Sequence, residues 1–208
     1  MMIDLAGWQR LWGELGASTV NGGLMNQLVA AYSERHRRYH TLQHLRECLA
    51  HAEATRTLAR RPAEVELALW FHDGVYEPQR DDNEVRSAEW ARASVLAAGC
   101  DSAVADRVHA LVLATRGHHP ATDDTQLLLD IDLAILGASA ARFDEYEAQV
   151  RAEYGHVADA AWREGRSRVL RAFLDRPRLY GTAVYHDALE ARARANLARS
   201  LQALSGPA

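Results

Sequence analysis

The stretch LALWFHDGVYEP, residues 67–78, runs from an apolar and aromatic segment directly into a histidine and an aspartate. The apolar run predicts the end of a helix that is buried in the core. His72 and Asp73 therefore fall where a polar side chain without a partner is costly. The stretch predicts a partner for them, which can be a protein group, water or a metal ion.

The segments on either side also favour helices. Apolar residues recur at helical spacing, as in LAGWQRLWGELG near the N-terminus, and no segment alternates polar and apolar residues over several positions. The residues placed to start or end helices are Thr41, Pro62, Gly99, Asp101 and Gly137. We therefore predict an all-α fold, a single-domain helical bundle of about nine to ten helices over residues 1–208.

Some helix boundaries can be predicted more closely. The segment GLMNQLVAAYSERH favours a helix that continues to about residue 35, and TQLLLDIDLAILG, residues 125–137, favours one short helix ended by glycine. Three further helices are expected at about 139–154, 157–175 and 186–204. GVYEPQRDDN and RGHHPATDD are rich in turn-forming residues and predict loops.

The amino-acid composition limits the classes of protein to which this chain can belong. The 208 residues are 48% hydrophobic and 25% charged, with a net charge of −4, so a broad positive surface for nucleic acid is not expected. No stretch has the apolar length of a membrane span, and the N-terminus lacks the pattern of a signal peptide. Cys48 and Cys100 are interpreted as core thiols of a cytoplasmic protein. The first helix and residues 188–204 are candidates for packing internally or against a second copy in a homodimer.

Ten histidines form several groups along the chain. His40 and His44 in RYHTLQHL are four apart, which on a helix places both rings on one face. His118 and His119 follow in TRGHHP, a predicted loop. Histidine is the commonest metal ligand and the usual acid or base near neutral pH, so these groups are candidates for a site.

Two aspartates lie in the apolar segment LLLDIDLAILG. Asp130 and Asp132 are two apart, so on a helix they point in different directions, and one is expected to face the core. No arginine or lysine lies within the segment, and a divalent metal ion shared with His44, His72 and Asp73 would stabilise the inward carboxylate. Such ligands suit Mn, Fe, Co, Ni or Zn, and Mg less well.

The order of these motifs resembles the HD superfamily of metal-dependent phosphohydrolases, and most closely a subgroup of small bacterial proteins of unassigned substrate. The likeness covers about residues 35–137 and is carried by RYHTLQHL, LALWFHDGVYEP, DNEVRSAEWA, LATRGHH and LLLDIDLAILG. It implies an HD-type helical domain and favours Asp132 over Asp130, because the family often ends its motif with aspartate and leucine. The implied metal ligands are His44, His72, Asp73 and Asp132.

RYHTLQHL is also similar to a signature of the cyclic-nucleotide phosphodiesterases, although Thr41 stands where those enzymes have asparagine. This likeness implies that His40 is the proton donor and His44 a metal ligand. Some HD proteins bind a second metal through histidines between the dipeptide and the last aspartate. His118, ahead of His119, is therefore a candidate for a second ion or a substrate phosphate.

The expected reaction is hydrolysis of a phosphate ester, of a nucleotide or a small phosphorylated metabolite, by metal-activated water. Asp73 is expected to bind the metal and to orient or deprotonate the water. Glu84 is expected to orient water or support a ligand histidine. Arg116, beside His118, is a candidate to bind the phosphate. The alternatives are a metal-containing nucleotide-binding regulatory module without turnover, and a di-iron HD oxygenase.

Overall fold

A computed structural model describes residues 3–205, and all regular structure in that part of the chain is helical. It contains ten α-helices: α1 (Leu5–Glu14), α2 (Gly22–Ala31), α3 (Leu42–Ala54), α4 (Pro62–Phe71), α5 (Asn83–Ala97), α6 (Ser102–Ala114), α7 (Asp123–Asp132), α8 (Ala140–Glu153), α9 (Asp159–Leu174) and α10 (Ala183–Ser205). Short 3₁₀ helices lie at Arg56–Leu58 and Leu133–Gly137. The predicted all-α fold of about nine to ten helices is confirmed. Within residues 3–205, no helix combines the length and apolar character that crossing a bilayer requires.

Local signals start and end several helices where the sequence predicts. The Thr41 side chain accepts a hydrogen bond from the Gln43 amide at the start of α3. Asp101 does the same for the Ala103 amide at the start of α6. Gly99, just after α5, has a φ of 77°, in the left-handed region that favours glycine. Because these caps depend only on neighbouring residues, they can be read from sequence.

Two helix ends differ from the prediction. α2 ends at Ala31, because the next amides, of Ser33 and Glu34, bond carbonyls three residues back instead of four. Residues 33–41 form turns and bends rather than a helix reaching residue 35. The apolar segment that favours one helix up to Gly137 is α-helical only as far as the end of α7 and then tightens into a 3₁₀ helix.

Helix α4 is the centre of the unit formed by residues up to Ile131. It starts at Pro62, and every residue from Ala63 to Phe71 is buried. A helix that is buried on all sides must be surrounded by other elements, and α1, α3, α5 and α6 all pack against it. The end of α4 therefore delivers the residues that follow Phe71 into the protein interior.

Three tryptophans join α1 to α4. The rings of Trp8 and Trp70 lie edge to face with centroids 4.9 Å apart, and those of Trp8 and Trp12 lie 5.5 Å apart. All three side chains are buried. Edge-to-face contacts between buried aromatic rings stabilise a core beyond the area they bury, so this cluster fixes α1 on α4.

Two glutamates of α4 are buried with arginine partners. The Glu64 carboxylate accepts two hydrogen bonds from the Arg107 guanidinium of α6, at 2.8 and 2.6 Å. Glu66 accepts hydrogen bonds from Arg10 of α1, at 2.9 and 3.0 Å, and from Arg56, at 3.0 Å. Since each carboxylate is paired, the charges of α4 hold neighbouring elements in place.

The turn that leads into α4 is bonded by a residue distant in sequence. The Asp124 carboxylate accepts hydrogen bonds from the backbone amides of Arg60, at 2.7 Å, and Arg61, at 3.1 Å. We expect Asp124→Ala to lower the free energy of unfolding by about 1–2 kcal/mol, because two part-buried hydrogen bonds to backbone amides are lost. Asp123→Ala is the matched control: its side chain is 71% exposed and, within residues 3–205, pairs only with Arg60, so about 0.5 kcal/mol or less is expected. Urea denaturation measures both, and equal losses would contradict the role of Asp124 in holding this turn.

Residues from Asp132 onward form a second compact unit. Here the 3₁₀ helix Leu133–Gly137 packs against α10, where the Asn196 side-chain amide donates to the Leu136 carbonyl at 2.9 Å. The Tyr180 hydroxyl, from the segment before α10, donates to the Leu133 carbonyl at 2.9 Å. A Cβ at Gly137 would lie 2.6 Å from the Leu189 Cβ, so only glycine fits there. The single domain over residues 1–208 stays a prediction.

Candidate metal centre

Two histidines from different helices meet in the core. His44 lies in the first turn of α3, and His72 directly follows α4. Their Nε2 atoms are 3.0 Å apart, and each residue is only 2% exposed. Two imidazole nitrogens this close share either a proton, in an N–H···N hydrogen bond, or a metal ion.

The other ring nitrogens of these histidines are already bonded. The Nδ1–H of His72 donates to the Leu69 carbonyl at 2.8 Å, since a carbonyl can only accept. Nδ1 of His44 lies 3.0 Å from the Tyr39 hydroxyl. The bond to Leu69 holds His72 in the tautomer whose Nε2 carries a lone pair, as in metal-ligating histidines, whereas the Tyr39 hydroxyl can pair with either tautomer of His44. The two Nε2 atoms point toward each other.

Asp73 adds a carboxylate to this pair. Its Oδ2 lies 3.0 Å from Nε2 of His72 and 3.4 Å from Nε2 of His44. Adjacent residues reach one point because the helix has ended: the Gly74 amide closes a turn on the Phe71 carbonyl at 2.8 Å. The chain therefore turns at the end of α4, as the sequence predicts for this glycine.

The electrostatics favour a charged Asp73. Burial raises the pKa of its carboxyl, but the charges of His72 and His40 and hydrogen bonds from the two clustered histidines outweigh burial. The pKa of Asp73 therefore lies well below its usual range. An ionised carboxylate beside two imidazoles is a ligand set for a divalent cation.

Asp132 and Cys48 form a second set of potential ligands with the same two histidines. One ligand atom from each of His44, Cys48, His72 and Asp132 lies within 4.8 Å of all the others. Asp130 is directed elsewhere, as expected for residues two apart on a helix, and accepts a hydrogen bond from Gln126 at 2.8 Å. The structure thus brings Asp132, at the end of α7, to the clustered histidines.

The spacing of the donor atoms fits a metal ion. Ligands about 2.0–2.1 Å from an ion are separated by about 3.0 Å at a right angle and by about 3.4 Å at a tetrahedral angle. The distances among His44, His72 and Asp73 are 3.0, 3.0 and 3.4 Å. These three donor atoms are thus spaced like ligands of one ion. The group of His44, His72, Asp132 and Cys48 could likewise hold a divalent ion.

Cys48 has a place in the structure that the sequence prediction missed. It is buried, as predicted for a core thiol, but it lies one helical turn after His44 and faces the same way. Its sulfur is 3.7 Å from both ring nitrogens of His44. Because these two distances are equal, the sulfur does not lie in the direction in which the Nε2 lone pair points. The four-residue spacing of His44 and Cys48 in a predicted helix was the sequence signal that could have indicated this position.

His40 borders the centre from outside the helix. α3 begins at Leu42, after the extended N-cap Thr41, so the predicted placement of His40 and His44 on one helical face is wrong. The His40 ring is half-buried and stacks on Tyr76, with centroids 4.0 Å apart, and lies 6.0 Å from the His44 ring. A turn, not a helix, places it beside the centre.

Arg37 organises the backbone around the centre. Its buried guanidinium donates to the carbonyls of Asp73 at 2.6 Å, Gly74 at 3.1 Å and His40 at 3.3 Å. One side chain therefore fixes two segments that are 36 residues apart. Sequence reasoning missed this role, because nothing in the residues around Arg37 indicates which carbonyls it reaches.

Tyr32 is a further buried residue near the centre. It is 1% exposed, and its hydroxyl has no hydrogen-bond partner among residues 3–205. Leaving a buried hydroxyl unbonded costs about 1–3 kcal/mol. Burial raises the pKa of Tyr32 to about 12, so the phenol is protonated at neutral pH.

Six predicted residues are not members of the group of His44, Cys48, His72 and Asp132. Asp73 and His40 adjoin that group, and the other four are Glu84, Arg116, His118 and His119. Glu84 lies half-buried in the first turn of α5. His118 is half-buried in a turn with a φ of 51°, and Arg116 and His119 are exposed. Their suggested roles, orienting water for Glu84 and holding a phosphate or a second ion for the others, stay predictions.

The chain matches no protein family, no curated protein and no solved structure with which it was compared. The likeness to HD phosphohydrolases therefore rests on the motif residues themselves, and the geometry of the clustered side chains is the main basis for a functional assignment.

Proposed function

We propose that this protein is a metal-dependent phosphohydrolase that acts on a phosphate ester of a nucleotide or another small phosphorylated metabolite. The convergence of His44, His72 and Asp73 within 3.0–3.4 Å is the observation that carries the proposal. Asp132 supports it, because it reaches the same group from α7. The order of these four residues also resembles that of HD phosphohydrolases.

The ligands in this proposal are His44, His72, Asp73 and Asp132. A divalent ion held by them lowers the pKa of a water molecule and neutralises charge on a phosphoryl oxygen. The low pKa of Asp73 suits it to binding the cation and orienting water, and less to accepting a proton near neutral pH. Tyr39 and the Leu69 carbonyl keep the ligand rings oriented.

His40 is the proton donor in this proposal. Its half-buried ring lies beside the centre and is held by stacking on Tyr76, so it can reach both solvent and a bound ester. It would give its proton to the leaving oxygen as the phosphate bond breaks.

Elemental analysis of the purified protein, followed by a metal-supplemented screen of nucleotides and simple phosphate esters, tests the proposal. We expect close to one divalent ion per chain and phosphate release that depends on it. A protein that binds no divalent ion under any condition of the screen would overturn the assignment.

His40→Ala is expected to keep its metal and to lose about 10²–10⁴-fold in turnover, since general acid catalysis typically contributes that much. The loss should be large for a nucleoside phosphate that the screen identifies and small for p-nitrophenyl phosphate, whose leaving group needs no proton. His36→Ala is the matched control, because His36 lies in the same segment and also contacts Tyr76. Equal losses on both substrates would contradict a role in protonating the leaving group.

A further inference from the structure

The hydroxyl of Tyr32 is a buried polar group that the proposed chemistry does not use. Among residues 3–205 it has no hydrogen-bond partner, although the side chain is almost completely buried. Buried hydroxyls are nearly always bonded to protein or to an ordered ligand, so an exception calls for an explanation. Its partner is expected to be something bound by the protein.

The position of Tyr32 indicates what that partner is. The residue caps the end of α2, and its hydroxyl interacts electrostatically with His72, Asp73 and His44. Its ring lies under the Arg37 guanidinium, 5.3 Å from the ring centroid, and that guanidinium also binds the Asp73 carbonyl. The Tyr32 ring is therefore held by the same arginine that binds the backbone of Asp73, one of the proposed metal ligands.

We propose that Tyr32 donates a hydrogen bond to an oxygen atom held in the metal centre, either of a water molecule or of a phosphate group. The inference rests on the proposed function, because it needs a cation at the clustered histidines. An oxygen beside a cation is held in one place and accepts a hydrogen bond from a phenol, which is protonated at neutral pH. Tyr32 would thus be a positioning residue for that oxygen. Its own buried hydroxyl would gain a hydrogen-bond acceptor only when the centre holds a metal ion.

Tyr32→Phe removes only this hydroxyl and keeps the ring under Arg37. The affinity for Mn²⁺ or Zn²⁺ is measured by competition with a chromophoric chelator, and then the affinity of the loaded protein for inorganic phosphate. Thermal unfolding is followed with and without metal. Tyr180→Phe is the matched control, because Tyr180 is also buried but its hydroxyl already donates to the Leu133 carbonyl.

In the metal-free protein Tyr32→Phe should be as stable as the wild type or more so, since an unbonded hydroxyl is lost. If water is the acceptor, the variant should bind metal about 2- to 10-fold more weakly. If phosphate is the acceptor, metal affinity should be unchanged and phosphate affinity should fall by a similar factor. Tyr180→Phe should lower stability equally in both states and leave both affinities unchanged.

Equal affinities of the wild type and Tyr32→Phe for both metal and phosphate would overturn the role of Tyr32 and leave the metal centre intact. An equal fall in Tyr180→Phe would also overturn it, because the effect would then be one of stability. A wild-type protein that takes up no metal would instead contradict the proposed function, and with it this inference.

Discussion

His72→Ala is expected to weaken metal binding by more than about 100-fold and to abolish metal-dependent hydrolysis. Changing a residue that merely supports a ligand typically costs 10–100-fold in affinity, and removing a ligand should cost more. Asp73→Asn is expected to act in the same direction, because it keeps the shape of the side chain and removes the negative charge. Elemental analysis and chelator competition on purified variants measure the change.

His109→Ala is the control for these variants, because His109 is a half-buried histidine of α6 that is not among the clustered ligands. It should bind metal as the wild type does. Circular dichroism confirms that each variant is folded, so that lost metal is not a result of unfolding. Full metal occupancy in both His72→Ala and Asp73→Asn would show that the ion, if any, binds elsewhere.

Trp70→Ala is expected to lower the free energy of unfolding by about 3–5 kcal/mol, because it leaves a large cavity beside Trp8 in the core around α4. For a chain of this length that corresponds to a fall in Tm of about 6–20 °C. Trp70→Phe should cost much less, because it fills part of the space and removes an indole N–H that has no hydrogen-bond partner among the described residues.

Trp162→Ala is the matched control, since Trp162 is only half-buried on α9 and should cost clearly less than Trp70→Ala. Urea denaturation followed by circular dichroism measures all three variants. A cost for Trp70→Ala within about 1 kcal/mol of that for Trp162→Ala would contradict the central role of α4 in the core.

The features that could be predicted from sequence depend on residues close together in the chain. Thr41 and Asp101 accept hydrogen bonds from amides two residues later, so the segment itself determines the cap. The apolar run before His72 likewise predicts a buried helix end without knowledge of its neighbours. Such local rules were enough for the fold class and for most helix boundaries.

The features that could not be predicted depend on contacts between distant segments. His40 is a separate case: four-residue spacing suggested a helix, although the locally predicted N-cap at Thr41 already excludes it. The roles of Arg37 and Tyr32 follow from partners that only the folded chain brings near. Motif order placed the ligand residues along the chain, but their mutual distances could come only from the packing of α3 and α4.

The two histidines of the centre are 28 residues apart in sequence, and each is held by a different helix. Closing a segment of that length is entropically costly before any native contact compensates for it, so the donor atoms are expected to meet only after α3 and α4 have packed. An ion that binds so late contributes little to the folding transition state and most to the native state. Its main kinetic effect would then be to slow unfolding, which would lengthen the lifetime of the native protein without making it fold faster.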